Sequence, residues 1–146
     1  MKQFIASVCI LALFLYLCSC TGFSPVFPWQ VEGISMHYMD EHYQDFYYEL
    51  SPEDTETFLR LYSNAVYAGE CQGELGTQSY HFTIRMKNGN DIIISEFSES
   101  FPRLEVETNL GAWFWIDSQE LFDYIWELIG KYHTAQEVMQ KHLPSL

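Results

Sequence analysis

His37, Asp40, Glu41 and His42 are the residues of this chain whose types come nearest to a metal site. Imidazoles and carboxylates are donors that zinc accepts. The spacing argues the other way, because neither His-x-Glu-x-His nor the helical His-Glu-x-x-His pattern is present, and the acids fall at the polar centre of an alternating stretch. No metal centre and no cofactor is therefore expected. Cys71 offers a thiol, with His37, His42, His81, His133 or His142 as conceivable bases, but a lone cysteine among glycines is more often incidental than catalytic. Glu105 with Glu107, and Glu96 with Glu99, have the chemical type of a glycosidase pair, yet among 20 acidic residues such pairs arise from composition alone. A nucleophile elbow, a phosphate-binding glycine loop and a dinucleotide fingerprint are all missing. Trp113 and Trp115 flank Phe114, and residues two apart on a strand share a face. If Phe114 and Ile116 turn toward the helices, the two indoles make a flat platform for a ligand or partner, suited to sugar rings or a protein anchor. If the indoles turn inward, Phe114 is the outlier. The inward arrangement is the expectation, with the platform kept open.

The amino-terminal stretch bears on where this chemistry would be exercised. Lys2 precedes an uncharged apolar run over residues 4–17, the layout of a secretory signal. At about 14 residues it is short of the roughly 20 that a transmembrane helix needs. It closes on Leu17-Cys18-Ser19-Cys20, which resembles a bacterial lipobox; Cys18 departs from the small residue that such motifs usually carry. The resemblance implies a signal peptide over residues 1–19, cleavage before Cys20, and a diacylglyceryl group with palmitate-like chains on the Cys20 thiol. Two chains of roughly 30 methylenes in all, at about 0.8 kcal/mol each, give a gross membrane transfer on the order of 20 kcal/mol. Cys9 and Cys18 would leave with the signal and Cys20 would be consumed as a thioether, which excludes an intramolecular disulfide after processing.

Residues 20–146 are the length of one domain. The whole chain carries a formal charge of −13, and loss of Lys2 makes the remainder more acidic still. Such a surface repels phosphate backbones, so nucleic acid is not an expected partner. It is also pushed away from anionic headgroups, which leaves the lipid to do the holding, and it would steer a basic partner in.

Several elements would have to position these side chains. Residues 20–30, with Pro25 and Pro28 among aromatics, read as an extended tether that reaches about 35 Å at most. Residues 31–50 alternate on both sides of a polar centre and read as a hairpin. Ser51-Pro52-Glu53-Asp54 combines an N-cap serine, a first-turn proline and first-turn acids, and the spacing of Phe58, Leu59, Leu61, Tyr62, Ala65 and Val66 predicts a helix over 52–68 capped by Gly69. Strands are expected over 79–86 and 91–97, with Lys87, Asn88 and Gly89 as a bulged turn that sets Ile84 opposite Ile92 and Phe82 opposite Ile94. Two more strands follow over 101–107 and 110–116. Asp117 with Glu120 resembles a capping box for a second helix, Gly130 loosens its end, and Thr134 with Glu137 starts a short last one. The expected fold is α+β: an antiparallel sheet, made of a hairpin plus a meander, with helices packed on one face over residues 31–146. In signal and general layout the chain resembles small bacterial lipoproteins of unassigned function. That likeness implies a lipid-anchored domain facing outside the cytoplasm, binding a protein or envelope ligand. The alternatives are an acidic inhibitor or immunity-like protein against a basic enzyme, and an envelope-acting enzyme whose site no motif reveals.

Overall fold

The computed structural model describes residues 25–39, 45–71, 80–95 and 103–142, with side chains up to residue 132. The signal and lipobox, the hairpin tip with Asp40, Glu41 and His42, and the pair Glu96 and Glu99 lie outside the described residues. A 3-10 turn at Pro28–Gln30 leads into β1 (Val31–Met39) and β2 (Asp45–Glu49). Helix α1 (Pro52–Ser63) and strand β3 (Val66–Glu70) follow, then β4 (Tyr80–Met86), β5 (Ile92–Ser95), β6 (Arg103–Thr108), β7 (Trp113–Asp117) and helix α2 (Gln119–His142). The fold is α+β, and among the described residues seven strands pair antiparallel in the order β2-β1-β4-β5-β6-β7-β3.

Period-two alternation decides which side of this sheet is covered. Ile34 and Met36, Phe82 and Ile84, Ile92 and Ile94, Leu104 and Val106, Phe114 and Ile116 all point into one apolar cluster. Phe58, Leu59 and Tyr62 of α1 and Leu121, Ile125 and Leu128 of α2 complete it from the helix side. Phe58 stacks on Phe82 with ring centroids 5.3 Å apart. Each such side chain, once buried, contributes about 1.5–3 kcal/mol of transfer free energy.

The β4–β5 turn is built as expected: Ile84 faces Ile92 and Phe82 faces Ile94, Gly89 takes a φ of 77°, and its N–H donates to the Met86 carbonyl at 2.8 Å. The start of α1 also follows the sequence, with the Asp54 N–H donating to Ser51 Oγ at 3.1 Å. Its end does not. The helix stops at Ser63, and Val66–Glu70 forms an edge strand on β7. Gly69, at φ 117°, sits at the bulge where that ladder shifts register and caps no helix. The second helix also begins later than expected: Asp117 is the last residue of β7, ion-paired to Arg103 at 2.8 Å, and Ser118 caps α2 by accepting from the Leu121 N–H. The helix then continues through Gly130 to His142, so the expected separate last helix is absent.

The end of the tether is tied to the domain. Val26 is buried, its carbonyl accepts from Ser63 Oγ at 3.2 Å, and Lys87 Nζ donates to the Trp29 carbonyl at 2.9 Å. Phe27 and Trp29 stack on each other and stay exposed. Among the described residues, no helix is long and apolar enough to cross a membrane.

Candidate functional site

The face of the sheet opposite the helices carries the chemically active side chains. Cross-strand pairing sets Tyr47, His37, His81, Ser95, Glu105 and Trp115 side by side in one row, from β2 through to β7. A second row, two residues along each strand, runs Glu49, Ser35, Thr83, Ile93, Glu107 and Trp113. Directly paired residues share a face, and each step between strands is about 4.8 Å.

At one end of the first row His37 links two partners. Its Nε2 lies 2.9 Å from Asp45 Oδ1, and its Nδ1 lies 3.2 Å from Nδ1 of His81. A carboxylate only accepts, so in its neutral form His37 carries its proton on Nε2 and presents an Nδ1 lone pair, into which the Nδ1–H of His81 donates. The Tyr47 ring packs against His37 with centroids 4.5 Å apart. Burial lowers the basicity of His81; the neighbouring His37 acts in the same sense and Asp45 opposes it. His81 is thereby biased to the neutral form.

Toward the other end lies Glu105, which is buried although it is on the outer face. Burial raises its pKa, the nearby Glu107 charge adds to this, and a hydrogen bond with Cys71 works against it. Cys71 follows β3 directly, and its N–H donates to the Trp113 carbonyl at 3.1 Å. His81 is two strands from Glu105 in the row, so these residues do not assemble the cysteine–imidazole pair that nucleophilic chemistry requires.

The tryptophans resolve against the inward expectation. Phe114 and Ile116 are buried beneath the helices, while Trp113 and Trp115 are half-buried on the outer face, opposite Glu107 and Glu105. The physical reason is parity: β7 has one apolar face to contribute to the core, and Phe114 continues the line of Val106 and Ile94.

Two further features lie elsewhere. A cavity of about 400 Å³ opens between the start of β1 and α1, with Val31, Leu50 and Leu59 buried within it and Glu32, Glu49 and Glu56 exposed around it. Glu49 is already engaged by Arg85, with Nη2 to Oε2 at 2.8 Å. Asp54, in the first turn of α1, accepts from Tyr124 at 3.0 Å, Lys131 at 2.6 Å and Tyr132 at 2.9 Å, all on α2, and from Ser51 at 2.8 Å. Burial alone would raise its pKa; these hydrogen bonds override that and hold it at about 2.

Sequence reasoning named Trp113 and Trp115 but missed the apposition of His37 with His81 and the burial of Glu105. Both depend on pairing between distant strands, and the available signal was only the shared polar parity of His37, His81 and Glu105 on their strands. Among the described residues, no group of three or more histidine, cysteine, aspartate or glutamate side chains gathers where it could hold a metal ion. No protein-family model, curated protein or solved structure matches the chain.

Proposed function

We propose that this chain is a membrane-anchored extracytoplasmic lipoprotein, held by lipid on Cys20, whose domain is a non-catalytic binding module for a protein or cell-envelope ligand. The observation that supports this reading is the one-sided covering of the sheet: both helices pack on one face, and the other carries Trp113 and Trp115 half-exposed among acidic neighbours. Paired indoles at that exposure supply a rigid anchoring area at low entropic cost. The test is cross-linking and pull-down from membranes, comparing the wild type with Trp113→Ala/Trp115→Ala. Loss of a captured species in the double variant, at unchanged thermal stability, is the expected result; identical capture by both would remove the platform. Cys20→Ser should release the domain from membranes or stall its processing, and unaltered detergent partitioning of that variant would remove the anchor.

The acid-rimmed cavity beside α1 supports a second reading, an inhibitor or immunity-like protein that receives a basic enzyme. Its apolar interior and exposed Glu32 and Glu56 suit an arginine or lysine side chain. Steep weakening of partner binding with added salt would favour this reading over the tryptophan platform.

A further inference from the structure

We propose that His37 and His81 form a two-histidine site for a zinc-class divalent ion, with Asp45 as the outer carboxylate that orients His37. Three observations carry it. The Nδ1 atoms of the two rings lie 3.2 Å apart. Two nitrogens bound to one tetrahedral zinc at 2.0–2.1 Å must lie about 3.3–3.4 Å from each other, so the nitrogen spacing is within a few tenths of an ångström of that required, and the rings, with centroids 4.4 Å apart, must also turn to aim both lone pairs at one ion. Second, Asp45 Oδ1 accepts from His37 Nε2 at 2.9 Å. That is the carboxylate–histidine arrangement which fixes the tautomer, aims the opposite nitrogen at a metal and raises its basicity. Third, the rings project from directly paired positions on β1 and β4, and the Tyr47 ring supports His37 from β2. Ligands on paired strands hold their separation better than ligands on loops.

The apo contact and the metal-bound state differ by one proton position. In the apo protein the Nδ1–H of His81 donates to the lone pair of His37. When the ion takes both Nδ1 lone pairs, His81 carries its proton on Nε2, so two neutral imidazoles bind the cation. Two protein ligands are fewer than the four of a structural zinc and the three of a catalytic one, so water or a donor group of a ligand must supply the remaining positions.

Isothermal titration of the full-length chain in detergent, stripped of metal and given zinc alone, tests the site. The expected result is saturable binding of one ion per chain, abolished or weakened at least about tenfold by His37→Ala and by His81→Ala, and weakened about tenfold by Asp45→Asn. Thermal melts of the metal-free variants verify that each is folded. Imidazole nitrogen resonances of the wild type give a readout that needs no variant: zinc should move those of His37 and His81. Absence of saturable binding, wild-type affinity in either histidine variant, or unmoved His37 and His81 resonances at saturation would each overturn the proposal.

Discussion

Asp54→Asn is the substitution from which the structure predicts the most. The carboxylate joins the first turn of α1 to Tyr124, Lys131 and Tyr132 of α2, with 9% of its side-chain surface exposed. Its pKa falls from 3.8 to about 2, which at about 1.4 kcal/mol per unit corresponds to about 2.5 kcal/mol of linked stability. Lys131 is 54% exposed, so solvent screening discounts this to about 1–2 kcal/mol. The folded pKa is the lower one, so this stabilisation is complete above about pH 5 and is lost as the pH falls through about 2. Asparagine removes the charge and leaves the tyrosine hydroxyls and the lysine to share one amide oxygen. Urea unfolding of wild type and variant at several pH values measures the effect. At pH 7 the variant should be less stable by about 1–2 kcal/mol, through a lower midpoint at unchanged slope, and the two curves should converge as the pH approaches 2. An equal midpoint at pH 7, or a gap that persists undiminished in acid, would refute the assignment of this carboxylate as the clasp between the helices.

Phe58→Ala should cost about 3–5 kcal/mol in the same assay, because the ring is fully buried and stacked on Phe82; a loss below about 1 kcal/mol would mean that the helix-to-sheet contact is misplaced. Glu105→Gln should raise the melting temperature at neutral pH. The folded pKa of Glu105 is raised, so ionisation destabilises the fold as the pH climbs from 4.5 through that value. The advantage of the glutamine should vanish below pH 4.5, and equal melting at every pH would show that the carboxylate is solvated.

The sequence carried the local logic well and the long-range logic poorly. Ser51 and Pro52 announced the start of α1, and Lys87-Asn88-Gly89 announced both the turn and the Ile84–Ile92 register, since each needs only neighbours along the chain. The end of α1 was hidden because Ala65 and Val66 prolong the helical apolar stripe, while the partner that claims Val66 as strand is Asp117, about a third of the chain away. Asp117 was misread for a related reason. Its acid-plus-three spacing imitates a capping box, but Arg103 across the ladder engages the carboxylate and leaves Ser118 to cap. A single interior glycine costs a helix about 1 kcal/mol, and buried Leu128 and Ile129 just before Gly130 offset that, so α2 runs on. At the candidate site, the tryptophan pair was legible as a pair but not as a direction, which the core of β6 decided.

The strand order also has a bearing on when the domain can become itself. β1 waits for β4, with Val31 paired to Met86, and β3 waits for β7, with Val66 paired to Asp117. Closure of such distant ladders forfeits chain entropy before any contact compensates it, so assembly is slow compared with a helical bundle of similar size. A polypeptide emerging from its amino terminus has no ladder for β3 until β7 has appeared, although the β1–β2 hairpin and α1 need only neighbours along the chain.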